Sequence, residues 1–271
     1  MFPIREFDID SGAPFLSKDA DVLLRPCFLI VQARMGSERL PGKSLKLIKD
    51  KPLLYYVLSR IQNVHLADGI IVATTSNSID DPICKLCQEM NIQYFRGSED
   101  NVLDRYVKAA SEFHVSTIVR ITADNPCIDP KIIDKAIFLF NTHINELDYL
   151  SNTINRTFPR GLDLEIITKH ALNKAFRHAT EKNEKEHVTL YIAQHPKVFR
   201  LGNITQKNDY SKFRITVDTE QDFLLAKAII EHFYPDNPNY TESELIAFLQ
   251  KHPEITALNA QILQKSIEDR V

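Results

Sequence analysis

The chain has 271 residues, 44% of them hydrophobic and 25% charged, which is enough apolar mass for a large core and excludes a disordered segment as the default. A formal net charge of −3 and a pI near 6.3 exclude a general attraction to nucleic acid or to an anionic membrane surface. No segment approaches the roughly 20 consecutive apolar residues of a membrane span, and residues 1 to 26, which carry Asp8, Asp10, Asp19 and Asp21, lack the basic start and apolar centre of a signal peptide. A cytoplasmic chain without membrane insertion or nucleic-acid partners is therefore expected.

In chain order, residues 1 to 26 read as an N-terminal extension to a domain over 27 to 271. The apolar run 27 to 32 predicts a buried strand, and Pro52 opens a helix that runs to about Asn63. A second strand follows at 69 to 74, then a helix capped by Asp80 or Asp81 ahead of Ile83 and Leu86. Cys84 and Cys87 fall on the core side of that helix. Without a second pair or nearby histidines, they read as buried thiols rather than as a zinc or redox site. Strands at 92 to 95 and 117 to 122 bracket a helix that starts at Asn101 and extends through Ala110. This alternation predicts an α/β fold, a mostly parallel twisted sheet flanked by helices.

Beyond residue 148 the pattern loosens. Tyr149-Leu150 is a short strand, 159 to 165 holds Pro, Gly and two carboxylates, and two helices follow. Residues 148 to 212 thus read as an inserted arm that completes a substrate pocket or pairs two subunits. Phe213 to Asp218 reads as a returning strand that ends in a carboxylate, followed by a helix from Glu220 to about His232. Two amphipathic helices are expected in the tail, from Glu242 to Gln250 and from Ile255 to Gln264.

The chemistry concentrates where strands end. The loop after the first apolar run holds Ala33, Arg34, Gly36, Ser37, Arg39, Gly42 and Lys43. Small residues let backbone N–H groups approach a ligand and cations offset its charge, so the loop is suited to a polyphosphate. A P-loop needs four residues between its first glycine and the Gly-Lys-Ser/Thr end, whereas five separate Gly36 from Gly42 and one of them is Pro41, which has no N–H. A P-loop-like kinase or NTPase is thus the second reading.

In open α/β sheets ligands bind beyond the carboxyl ends of strands, where Thr74-Thr75 and Thr122-Ala123-Asp124 also fall. Thr74, Thr75, Gly97 and Ser98 suit ribose and base contacts, or alternatively a strand end and a turn. Asp124 and Asp218 each end an apparent strand, and each can either hold a metal ion or cap the next turn or helix. Arg160, Asp163 and Glu165 are the acceptor candidates, and a lone His187 on a helix reads as structural.

The segment Ala-Arg-Met-Gly-Ser-Glu-Arg-Leu-Pro-Gly-Lys at 33 to 43 resembles the signature of the cytidylyltransferases that make CMP-activated sugar acids. Val72-Ala73-Thr74-Thr75, Arg96-Gly97-Ser98, Ala123-Asp124-Asn125-Pro126 and Val217-Asp218-Thr219-Glu220-Gln221-Asp222 continue the likeness in order. With Pro159-Arg160-Gly161-Leu162-Asp163 and Glu186-His187-Val188-Thr189, the whole is similar to the branch named for spore-coat polysaccharide biosynthesis.

The resemblance implies a nucleotidyltransferase fold of the glycosyltransferase-A type, CTP as co-substrate, Mg2+ dependence and a homodimer built on the inserted arm. It implies transfer of CMP to a sugar acid or related polar acceptor, with Arg34 and Lys43 on the β and γ phosphates and Asp124 and Asp218 on the metal. A glycosyltransferase or nucleotide-sugar binding protein of the same fold is the remaining alternative. No residue by itself fixes the acceptor as a sugar acid, a sugar phosphate or a phosphonate.

Overall fold

The computed structural model describes residues 3–10 and 26–264. Most of the N-terminal extension, including Asp19 and Asp21, lies outside the described residues. The strands are β1 (Arg5–Asp8), β2 (Cys27–Gln32), β3 (Leu47–Ile48), β4 (Lys51–Pro52), β5 (Gly69–Thr75), β6 (Gln93–Gly97), β7 (Thr117–Thr122), β8 (Tyr149–Ser151), β9 (Glu165–Thr168) and β10 (Leu201–Thr205). Among the described residues, eight of them form one sheet in the order β1-β10-β8-β9-β7-β2-β5-β6, while β3 and β4 pair separately. Every neighbouring pair in the sheet is parallel except those of β9, which runs against both β7 and β8.

The helices are α1 (Leu53–Ile61), α2 (Asp81–Glu89), α3 (Val102–Glu112), α4 (Pro130–Thr142), α5 (Lys169–His178), α6 (Lys182–Glu186), α7 (Leu190–Gln194), α8 (Glu220–Phe233), α9 (Glu242–Lys251) and α10 (Pro253–Thr256). They cover both faces of the sheet, which is why β2 is apolar without a polar alternate. Leu29 and Val31 pack with Leu54 and Val57 of α1, Ile133 of α4 and Leu245 of α9, whereas Ile30 packs with Leu103 and Tyr106 of α3 and Leu172 of α5. Each such side chain, fully buried, contributes about 1.5–3 kcal/mol. Cys84 and Cys87 are buried on α2, and burial pushes the Cys87 thiol up to about 12. No helix among the described residues is long and apolar enough to cross a membrane.

Four segments differ from the pattern read in the sequence. Arg5–Asp8 of the N-terminal extension is an edge strand of the sheet, parallel to β10. Residues 148 to 212 contribute β8, β9 and β10, of three, four and five residues, to the same sheet. Strands this short carry too few positions for their periodicity to register. What leaves the sheet is 152 to 164 and the helices α5 to α7.

Residues 213 to 218 alternate in burial as a strand does, yet they pair with loops and not with the sheet. Arg160 N–H donates to Phe213 O at 2.9 Å, Ile215 N–H to Arg160 O at 2.7 Å, and Val217 N–H to Asp124 O at 2.8 Å. The tail beyond α10 is a single 3-10 turn, because the buried Asn259 donates from Nδ2 to Arg214 O at 2.9 Å and to Asp222 Oδ1 at 2.7 Å.

The crossing of 159 to 162 over 213 to 216 is what carries Asp218 to the sheet's carboxyl edge, and Gly161 permits it. Its φ is +110°, and a Cβ there would stand 2.5 Å from Thr216 N and 2.7 Å from Ile215 C. Both objects are backbone and cannot rotate away. Gly161→Ala is expected to destabilise the chain by about 3 kcal/mol, read as a lower denaturant midpoint.

Glu242, at the start of α9, carries a different signal. Burial, with Asp129 and Asp10 adding to it, raises its carboxyl from 4.5 to about 7, despite the opposing hydrogen bond from Gln206. Between pH 4.5 and 7 the folded state keeps a proton that the unfolded state has lost, so this group's contribution to stability falls as pH rises through that window. Glu242→Gln should remove that fall and raise the pH 8 stability by on the order of 1 kcal/mol relative to wild type, measured by melting at pH 5 and pH 8.

Candidate active site

Lys43 opens a 3-10 turn directly after Gly42, whose φ of +72° turns the loop back under the sheet edge. The loop is tied to itself, with Gly42 N–H on Met35 O at 3.0 Å and Ser44 Oγ donating to Arg34 O at 3.1 Å. Its entry is anchored by the buried Asp80, whose Oδ1 accepts Met35 N–H at 2.8 Å. These restraints aim the Lys43 ammonium inward. Nζ donates to Asp124 Oδ2 at 2.9 Å, Asp218 Oδ1 at 3.0 Å and Val217 O at 2.7 Å.

Three cations surround Asp218. Its Oδ2 also receives Arg39 at 2.9 Å and Arg214 at 3.0 Å. Burial alone would raise this carboxyl, but Lys43, Arg39 and Arg214 outweigh it and hold it at about 2. Burial likewise pulls the Lys43 ammonium down, and Asp124 and Asp218 more than reverse it, so lysine stays charged. Asp124 Oδ1 takes the Thr122 hydroxyl at 2.5 Å. Arg214 is itself held by the fully buried Asp222, at 2.9 and 3.0 Å.

This cluster lines one side of a cavity of about 700 Å³, which Ala33, Arg34, Ser37 and Arg39 continue along the loop. Arg34 reaches no closer than 3.9 Å to Glu186 and keeps its head 37% exposed. Across the cavity lie Arg160, Asp163 and Glu165. Asp163 grips Arg156 through both oxygens, at 2.5 and 3.1 Å. Burial lowers the Arg160 guanidinium, and the neighbouring Arg156 lowers it further.

Glu165 is occupied by the protein itself: it accepts Tyr149 Oη at 2.5 Å, Thr189 Oγ1 at 2.6 Å and the Arg120 guanidinium. Burial raises its carboxyl, and Arg120 with the hydroxyls of Thr189 and Tyr149 more than compensates, leaving it lowered. Arg120 in turn donates to Gln32 Oε1 at 3.0 Å. Glu165 therefore positions Arg120 and Gln32 on the cavity floor.

The residues read for ribose and base lie elsewhere. Thr74 and Thr75 are buried and their hydroxyls both donate to Asp80 Oδ2, while Ser98 Oγ accepts Asn101 N–H at 3.1 Å ahead of α3. Gly36, Gly97 and these three side chains are not among the cavity lining. Asp80 thus anchors the loop and the threonines and does not cap α2 with its side chain. Sequence reading missed Arg105, Arg120 and Arg156. A charged residue inside the apolar run 117 to 122 was a signal for Arg120, whereas helix position alone gave none for Arg105.

The donor set suits a hard divalent ion. Mg2+ bound with nucleotide phosphates takes one or two protein carboxylates, and Asp124 and Asp218 converge closely enough to share a single ammonium.

Comparison with known proteins agrees with this geometry. A cytidylyltransferase family model matches residues 28–261. The chain is 33% identical to the spore coat polysaccharide biosynthesis protein SpsF of Bacillus subtilis, covering 83% of this chain and 94% of that one. It is 38% identical to an uncharacterised protein of Methanocaldococcus jannaschii over 89% of this chain and 97% of the relative.

Among solved structures, a cytidylyltransferase from Leptospira borgpetersenii superposes with a TM-score of 0.83 at 32% identity, covering 89% of this chain and 99% of that one. A CMP:2-keto-3-deoxy-manno-octonic acid synthetase complexed with CTP, at 15% identity and TM-score 0.58 over 76% and 98% of the two chains, shares the fold. The loop that aims Lys43 at the carboxylates of Asp124 and Asp218, and a likeness that runs nearly end to end, make this chain a member of the cytidylyltransferase family.

Proposed function

We propose that this cytidylyltransferase moves CMP from CTP to a sugar acid or related polar acceptor, releasing pyrophosphate, for the synthesis of surface polysaccharide. The proposal includes dependence on Mg2+, a cytoplasmic location and a homodimer that uses residues 148 to 212. The observation that carries it is the convergence of Lys43, Asp124 and Asp218 at one edge of the cavity.

In the reaction an acceptor oxygen forms a bond to the α-phosphorus while the bond to pyrophosphate breaks, and the acceptor's proton passes to solvent. Negative charge grows on the leaving group, so positioning and charge stabilisation supply most of the rate. Arg34 and Arg39 flank the loop and suit the β and γ phosphates, since a guanidinium grips two oxygens, while Lys43 acts as a point charge. Asp124 and Asp218 are the residues that would hold Mg2+, which would supply charge to offset that of the phosphates. With Arg156 held by Asp163, Arg160 is the cation that the opposite wall offers, which favours an acceptor bearing an acid group.

Wild-type protein should release pyrophosphate from CTP with Mg2+ only when an acceptor is supplied, and phosphate or ADP production would instead indicate the kinase or NTPase reading. Lys43→Ala should lower kcat by about two to three orders of magnitude, and near-wild-type turnover would remove Lys43 from the mechanism. Asp218→Asn should raise the Mg2+ concentration needed for half activity, with an unchanged requirement assigning Asp218 to structure alone. Sedimentation of the intact chain tests the dimer.

A further inference from the structure

Arg60, Arg105 and Arg120 differ in what satisfies them. Arg60 donates to three carbonyls, of Ile128, Pro238 and Tyr240, at 2.6 to 2.7 Å, and stacks on the Tyr240 ring at 3.9 Å. Arg120 has Glu165 and Gln32. Arg105, only 1% exposed, has no acceptor for Nε or Nη1 and no carboxylate at ion-pair distance among the described residues.

A buried guanidinium without a hydrogen-bonded or ion-paired partner carries a desolvation cost of several kcal/mol, which the more distant charges of Asp80 and Glu99 reduce but do not cancel. Such a cost persists where a ligand supplies the missing charge. Arg105 lines the same cavity as the phosphate loop, and so does Val102 of the first turn of α3. The two sides meet closely: a Cβ on Gly36 of the loop would lie 3.4 Å from Glu99 Oε1, just before α3. The positive end of the eleven-residue α3 is thus turned to the loop's outer side.

We propose that Arg105 grips a phosphate oxygen of the nucleotide's tail, completing from α3 the set of cations that the loop begins with Arg34, Arg39 and Lys43. This rests on the nucleotide-transfer reading above. A neutral base edge would satisfy the N–H groups but leave the charge uncompensated, whereas a phosphate oxygen does both. Helix α3 then has a role beyond packing, since its buried face carries one guanidinium that has no ion-pair partner among the described residues.

The test uses Arg105→Met and Arg105→Lys in the full chain, with three ligands: tripolyphosphate and CTP by calorimetry in the presence of Mg2+, and cytidine by chemical-shift titration. Arg105→Met should weaken tripolyphosphate and CTP by about 10- to 100-fold and leave cytidine unchanged, and Arg105→Lys should recover part of the loss. The ligand-free melting temperature of Arg105→Met should stay level or rise, because the variant removes an unpaired buried charge.

Unchanged tripolyphosphate binding would overturn the proposal. So would a loss for cytidine as large as that for CTP, or a steep fall in the ligand-free melting temperature, which would assign Arg105 to the base or to the core. Wild-type protein that binds tripolyphosphate through Arg105 yet forms no pyrophosphate from CTP would sink the functional reading and leave this one standing.

Discussion

The ammonium of Lys43, held between Asp124 and Asp218, is the contact on which the site depends. It joins three parts of the chain that are 81 and 175 residues apart, namely the loop after β2, the end of β7 and the turn into α8. In partly buried surroundings none of the three charges is stable alone, because desolvation costs several kcal/mol per unpaired ion. Arg39 and Arg214 share the load on Asp218, and Asp222 fixes Arg214 from below. The result is a charge lattice whose members oblige one another to stay, with its outer side facing the cavity.

The fold supplies the geometry through two devices. A parallel sheet ends its central strands β2, β5 and β7 on one edge, so the loop after β2 and Asp124 after β7 start as neighbours. The crossing at Gly161 then brings in the distant segment 213 to 218, which has no place in the sheet because the carboxyl edge offers it carbonyls and N–H groups of loops instead. Buried acids do the fastening. Asp80, Asp222 and Glu165 each satisfy several donors of the protein, which holds the loop, Arg214 and Arg120 in fixed orientations.

A buried carboxylate and a ligand-binding carboxylate look alike in a sequence. Glu165 reads as an acceptor contact until Arg120, Tyr149 and Thr189 are seen around it. Thr74 and Thr75 read equally as base contacts or as a strand end, and both hydroxyls are found on Asp80. The same holds for Phe213 to Asp218, whose alternation in burial is real although its backbone partners are loops. Hydrogen-bond partners are non-local, and a linear pattern carries no information about them.

Everything with a short period or a fixed spacing was legible in the residues alone. The apolar runs marked β2, β5, β6 and β7, Asn101 and Glu220 marked the starts of α3 and α8, and the order of motifs from Ala33 to Asp222 marked the family. Local sterics and amphipathic burial dictate these features, so they are written in neighbouring residues. Which charges meet was settled only once the chain had folded: Lys43 with Asp124 and Asp218, Glu165 with Arg120, and Arg105, among the described residues, with none. Those pairings come from where the chain crosses itself, and the energy of a charge is set by what surrounds it in space rather than along the chain.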